Sequence, residues 1–316
     1  MHVIGIDAGG TKTVAYLADE SGAVVREARG GPANLHAVGE AGVEEVLRAV
    51  LDEATAGDGR PAALCVGMAG AERDTDREIV EGLLRRIGVR GRTLVVNDAL
   101  VALSAGVREG PGIVLIAGTG SIVYGRNAHG FAARAGGFGR IFGDEASGYW
   151  LGRRALQAVA RASDGRGPAT SLSALVLAHF KVARAFDLCR IVNTRVAEHG
   201  IVSALAPIVE SARVQGDAVA AEIFEEAVRE LVDGGLSVAA RLGMKDEAFA
   251  FVLAGGVFKA SPWLARELGH RLVAQAPKAT VTPLEAEPAQ GAVWLALAEA
   301  RGGVRLPAYV DDRTAP

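Results

Sequence analysis

Two short segments carry the residue types that can hold an anion. Residues 7–11 read DAGGT and residues 117–121 read AGTGS, and each follows an apolar run. A glycine turn lets backbone N–H groups approach an anion closely, and neighbouring hydroxyls add donors. Gly9, Gly10 and Thr11 form the first such turn, and Gly118, Thr119 and Gly120 the second. Either turn alone is also compatible with a tight hairpin that binds nothing. As a pair, at corresponding places in two similar domains, they would face one another across a cleft and hold a polyphosphate. The first turn adds a carboxylate, Asp7, which can hold Mg²⁺ through water or bond its own backbone as a turn residue.

A second carboxylate, Asp98, ends the apolar run TLVVND. A carboxylate at a strand end can take a proton from a hydroxyl nucleophile. It can equally be a helix N-cap, which its position alone favours. GGFGRIFGDEASGYW, residues 136–150, is the densest feature: four glycines precede Asp144. Asp144 can complement a helix N-terminus or accept from the hydroxyls of a ligand resting on the glycine backbone. Phe138 can stack on a sugar ring or merely pack. Asn34 lies in the loop GPANLH, where an Asn turn is the plain alternative.

Other chemistries are excluded. There is no G-x-x-x-x-G-K-[ST] loop, no G-x-G-x-x-G after the first strand, and no H-E-x-x-H. The net charge is −3 with a pI near 6.1, which predicts no nucleic-acid partner. Two distant cysteines, Cys65 and Cys189, fit neither a disulfide framework nor a metal spacing. The apolar stretches are short and rich in glycine, and the opening one is broken by Asp7. The expectation is a protein of the reducing cytoplasm with no leader and no membrane span.

The elements that position these residues follow from periodicity. Residues 3–28 read as an antiparallel meander of three strands. Val43, Val46, Leu47, Val50, Leu51 and Ala54 form one face of a helix. ALCVGMAG and TLVVND read as buried strands, each followed by a helix. Strands alternating with helices imply a parallel sheet, with ligands beyond the carboxyl ends of its strands. The strand–turn–strand layout restarts at residue 112, so a second copy of the unit is expected. A helix is expected over 145–163, a helical region to about 243, a late strand in FAFVLAGGVF and a last helix near 289–301. The expected domains are 1–110, with the helix at 289–302 packing back on it, and 111–288 with a helical insertion. Residues 303–316 read as a loose tail.

GIDAGGTKT, GPANLH, VVNDALVALSAG, IAGTGSIVYGRN, GGFGRIFGDEASGYWLG and LAGGV stand in the order found in N-acetylglucosamine kinases. The chain resembles this group of the BadF-type ATPase family, within the sugar kinase, heat-shock ATPase and actin superfamily. The resemblance implies an α/β fold of two actin-like (ribonuclease H-like) domains, each a mixed sheet flanked by helices, with a cleft for Mg-ATP and an amino sugar. It implies that Asp98 is the general base. Asn34, Asn97, Asp98, Gly137, Phe138, Gly139 and Asp144 fall where the family contacts the sugar. Gly9, Gly10, Thr11, Lys12, Gly118, Thr119, Gly120, Gly255 and Gly256 fall where it contacts ATP, and Asp7 where it serves the metal. A homodimer is implied as well. One departure stands out: Phe138 occupies the place of the family's tryptophan, which leaves a smaller stacking surface. N-Acetylglucosamine 6-phosphate is the expected product, with glucosamine and N-acetylmuramic acid as alternative substrates. Activation of a partner dehydratase or reductase is the alternative of another class.

Overall fold

The computed structural model describes residues 1–56, 60–71, 73–192 and 199–310. In chain order the first elements are β1 (Val3–Ala8), β2 (Thr13–Ala18), β3 (Val24–Gly30), α1 (Leu35–Thr55), β4 (Ala63–Met68), α2 (Asp74–Arg86), β5 (Arg92–Asn97) and α3 (Asp98–Gly106). The five strands form a sheet of order β3-β2-β1-β4-β5. β1 pairs antiparallel with β2 and parallel with β4, and β4 pairs parallel with β5. The sheet is therefore mixed: the antiparallel meander and the parallel section share β1.

The following elements are β6 (Gly112–Ala117), β7 (Ser121–Arg126), β8 (Phe131–Gly136), α4 (Gly148–Ser163), α5 (Leu172–Phe180), α6 (Ala185–Val192), α7 (His199–Ser203), α8 (Ala206–Val214) and α9 (Ala218–Arg241). They continue with β9 (Ala250–Ala254), α10 (Gly256–Ala260), α11 (Pro262–Gln275), β10 (Thr280–Pro283), α12 (Pro288–Ala300) and β11 (Ala308–Tyr309). The second sheet has the order β10-β9-β6-β7-β8-β11. The chain divides into two compact units: residues 1–114, 124–133 and 282–316, and residues 115–123 and 134–281.

In unit 1 the central strands are apolar throughout. Every residue of β4 is buried, and in β1 only Asp7 is partly exposed. A strand covered on both faces reads as a continuous run rather than an alternation. Ile4, Leu17, Leu47, Leu64, Val66 and Leu83 form the centre of one core. The edge strand β3 is mostly exposed.

α12 fixes the other face. A Cβ on Gly5 would lie 2.3 Å from Val293 N, and one on Gly291 would lie 1.9 Å from Val101 O. The helix thus rests directly on the backbones of β1 and α3. Polar ties hold its far end: Arg92 donates to Glu299 O at 2.7 Å, and Arg301 donates to Glu20 O at 2.6 Å. The Arg108 guanidinium stacks 4.0 Å from the centroid of the Trp294 ring.

Three details differ from the sequence reading. The helix expected from residue 145 starts at Gly148, because Ser147 caps it and Asp144 and Ala146 have left-handed backbones. α11 and β10 are separate elements that periodicity did not distinguish. In the segment read as a tail, Ala308 and Tyr309 pair with Phe131 and Ala132; residues 311–316 lie outside the described residues. Among the described residues no helix is long and apolar enough to cross a membrane.

The seating of α12 makes a direct prediction. A methyl group at Gly291 has backbone atoms on two sides, so Gly291→Ala should lower the unfolding free energy by about 2–3 kcal/mol or more. Urea denaturation reads this as a lower midpoint at unchanged slope. An unchanged midpoint would mean that α12 does not need this contact.

Candidate functional site

In unit 1 the carboxyl ends of β1, β4 and β5 lie side by side. Ala8 is opposite Met68, and Met68 is opposite Asn97. At about 4.8 Å per strand, the ends of β1 and β5 are roughly 10 Å apart. The first glycine turn closes where Gly9 N donates to Lys12 O at 3.0 Å. Ala33 N donates to Gly9 O at 3.0 Å, and Thr13 Oγ1 donates to Gly31 O at 2.8 Å. These two bonds bring the loop of Asn34 to the turn. Gly10, Thr11 and Lys12 are exposed, and Asp7 behind them is half-buried.

Both asparagines are helix caps. Asn34 Oδ1 accepts from His36 N at 3.0 Å and opens α1. Asn97 Oδ1 accepts from Ala99 N at 2.7 Å and opens α3. The second bond makes Asn97 the cap, and Asp98 is the first helical residue. Its carboxylate stands at the positive end of the helix dipole.

Asp7 is pushed up to about 7 from the ordinary carboxylate value. Burial is the largest cause, and the negative charge of Asp98 comes next; Lys12 acts the other way and Glu287 adds to the rise. Glu287 was missed by the sequence reading. It stands at the N-cap position of α12, just before Pro288, and its carboxylate turns instead to Lys12 Nζ, from which it accepts two bonds at 2.9 and 2.8 Å. A Glu-Pro pair signals a helix start, and nothing in the sequence places it beside residue 12.

Unit 2 holds the second turn. Gly118 N donates to Gly120 O at 2.9 Å. Residues 144–149 are bonded onto this turn by four contacts. Asp144 Oδ1 accepts from Ser121 N at 3.2 Å, and Ser121 Oγ donates to Glu145 O at 2.6 Å. Gly148 N donates to Gly118 O at 2.8 Å, and Tyr149 N donates to Thr119 O at 3.2 Å. The segment is strained, with φ of 58° at Asp144 and 63° at Ala146. Each such backbone costs about 1–3 kcal/mol. Neither alternative raised for Asp144 describes this contact: its carboxylate lies against the second glycine turn, and Ser147 caps α4 instead.

The third glycine pair joins the same place. A Cβ on Gly255, whose φ is 109°, would lie 2.3 Å from Ala117 O, so the chain after β9 touches the exit of β6. Gly256 begins α10 and is exposed.

Gly137, Phe138 and Gly139 lie in the loop after β8. Phe138, Ile141 and Phe142 are 55, 81 and 73% exposed. The Phe138 and Phe142 rings stack at 5.7 Å, and the Arg134 guanidinium lies 5.2 Å from the Phe138 centroid. A cavity of about 330 Å³ opens here, lined by Ile122, Phe138, Phe142, Glu145, Glu230 and Asp233 among others. Burial raises the Glu230 carboxyl, and Glu145 and Asp233 raise it further.

Two mixed sheets flanked by helices, each with a glycine turn after a leading strand, define the two-domain actin-like class of sugar kinases and ATPases. The chain belongs to the BadF/BadG/BcrA/BcrD ATPase family, whose pattern matches residues 4–296. It is 36% identical to the N-acetylmuramic acid/N-acetylglucosamine kinase of Clostridium acetobutylicum, across 94% of this chain and 99% of that one. It is 32% identical to the N-acetyl-D-glucosamine kinase of Dictyostelium discoideum, across 93% and 97% of the two chains. The crystal structure of a provisionally named N-acetylglucosamine kinase of Chromobacterium violaceum superposes with a TM-score of 0.75 at 29% identity, covering 94% of this chain and 98% of that one.

The raised carboxyl of Asp7 predicts a pH dependence. Its proton is held more tightly in the folded than in the unfolded chain. The stabilisation is complete below about pH 4 and is lost as pH rises through about 7. Asp7→Asn lacks this loss. Without nucleotide or divalent cation, the Tm of Asp7→Asn relative to the wild type should therefore climb between pH 4.5 and 8. A constant difference across that range would contradict the assignment.

Proposed function

We propose that the protein transfers the γ-phosphoryl group of ATP to the 6-hydroxyl of an amino sugar, N-acetylglucosamine first among them. The observation that carries this reading is the pairing of Asp98 with the turn of Asp7. Asn97 takes the cap of α3, and Asp98 stands beside it at the same sheet edge as the first glycine turn. Full-length similarity to two kinases named for N-acetylglucosamine supports the same chemistry.

Asp98 takes the proton of the sugar hydroxyl as its oxygen attacks the γ-phosphorus. The bond from that phosphorus to the bridging oxygen breaks, and ADP leaves. Such a transfer depends on positioning and on neutralising charge. The backbone N–H group of Gly10, the hydroxyl of Thr11 and the ammonium of Lys12 serve the phosphates in unit 1, while Gly9, whose own N–H closes the turn onto Lys12 O, leaves room beside them. In unit 2, Gly118, Thr119 and Gly120 form a second turn suited to phosphate, and Gly255 and Gly256 a backbone suited to a nucleoside. For a sugar, unit 1 offers the side-chain N–H groups of Asn34 and Asn97; unit 2 offers the backbone of Gly137 and Gly139, a stacking face in Phe138 and an acceptor in Asp144.

Asp7 suits a hard cation. It is an oxygen donor, and the neighbouring carboxylates that push it up are relieved by positive charge. Mg²⁺ held there would neutralise the phosphate oxygens. A homodimer in the cytoplasm, with neither nucleic acid nor membrane as partner, completes the reading.

One feature weights the choice of sugar. Glu145, Glu230 and Asp233 line the cavity at Phe138. Like charge in a partly desolvated pocket disfavours an anionic substituent, so the lactyl carboxylate of N-acetylmuramic acid is less welcome than a neutral sugar. A cluster-bearing activator is not favoured: Cys65 is enclosed in β4, and burial pushes its thiol far above the ordinary range.

ADP release with Mg-ATP should be stimulated strongly by N-acetylglucosamine and less by N-acetylmuramic acid or glucosamine. Equal slow hydrolysis with every sugar and with none would sink the proposal. Asp98→Asn should lower kcat by about 10²–10⁴-fold with Mg-ATP affinity kept. Near-normal turnover would remove Asp98 from the mechanism.

A further inference from the structure

We propose that Glu287 is a positioning residue for phosphoryl transfer: it pins the Lys12 ammonium at the first glycine turn, where the nucleotide's phosphates arrive. The proposal rests on the kinase reading above; the ion pair itself is seen in the structure. Glu287 meets Lys12 across 275 residues of sequence and accepts from it with both carboxylate oxygens, at 2.9 and 2.8 Å. Arg29, which also pairs with Glu27, stands 3.9 Å from Glu287. Glu287 therefore has two cations beside it.

The two partners differ in rigidity. Lys12 extends from an exposed glycine turn on a four-carbon stem. Glu287 stands at the N-cap position of α12, the helix wedged onto the backbones of β1 and α3. The same helix thus carries the anchor of Lys12 and touches the elements that bear Asp7 and Asp98. Immobilising a lysine side chain costs rotamer entropy. Here the ion pair orders it before any phosphate arrives, and a cation already in place stabilises developing charge without reorganising.

An ordinary surface ion pair predicts something different. With Lys12 51% and Glu287 30% exposed, the pair adds little to stability. Removing it should leave the fold intact, so kinetic and binding effects can be read cleanly.

The test compares wild type, Glu287→Gln, Lys12→Met and the double variant. Calorimetric titration with Mg-ATP gives Kd, and steady-state assays with N-acetylglucosamine give kcat/KM for ATP. Glu287→Gln should weaken Mg-ATP binding about fivefold and lower kcat/KM for ATP about tenfold, with Tm unchanged. The double variant should be no worse than Lys12→Met, because Glu287 acts through Lys12. Unchanged or tighter binding in Glu287→Gln would overturn the proposal, as would losses that multiply in the double variant. If the wild type phosphorylates no sugar, the kinase reading fails, while the Mg-ATP titrations still decide the role of Glu287.

Discussion

The seating of α12 on bare backbone is the constraint on which the site in unit 1 depends. Gly5 in β1 and Gly291 in α12 each leave no room for a Cβ. Because the contact is backbone to backbone, it does not yield as side chains do, and packed interiors transmit displacement rather than absorb it. β1 carries Asp7, α3 carries Asp98, and α12 begins with Glu287. Three charged groups from distant parts of the sequence are thereby held to one frame. A methyl group at Gly5 would push β1 from α12, and one at Gly291 would push α12 from α3.

Unit 2 reaches a comparable result by a different route. Its second glycine turn is held by residues 144–149 through hydrogen bonds, and that segment contains two strained non-glycine backbones. Strain of this kind persists where the surroundings over-determine the geometry. Here the surroundings are visible: Gly118, Thr119 and Ser121 all bond to the segment, and the buried Ser147 caps α4 directly after it. The loop of Phe138 therefore runs into the second glycine turn through a chain of bonds, not through a slack linker. A change in Asp144 is felt at the turn as well as at the loop.

Much of this was legible in the sequence, for physical reasons. β1 and β4 announced themselves as apolar runs because they lie inside the sheet and are covered on both faces, and the glycine turns were visible as adjacent or alternating glycines directly after such runs. Asp98 was located but not resolved, since a carboxylate at a strand–helix junction fits both a cap and a base. The Asn97 side chain bonded to Ala99 N takes the cap from Asp98, and spacing cannot show that. Glu287 was invisible for a different reason: its meaning lies in a contact with a residue 275 positions away. Asp144 was singled out by composition, yet its carboxylate bonds the backbone of another turn, a relation that local pattern does not carry.

The charges around Asp7 show why such a site is built at some expense to the fold. Asp98 and Glu287 both disfavour its ionised form, burial disfavours it more, and Lys12 offsets only part of this. A sequence selected for stability alone would remove one of the carboxylates. Retaining them leaves the ligand-free protein with too much negative charge in a half-buried place. That excess is what a bound cation would relieve, so part of the energy of binding a cation would come from ending this repulsion. Glu287 has a double part in this balance: it adds to the negative charge while fixing the cation that counters it. The alternative, a free lysine and no glutamate, would leave Asp7 less perturbed but Lys12 unplaced, and phosphoryl transfer rewards placed charge over charge that must still be ordered.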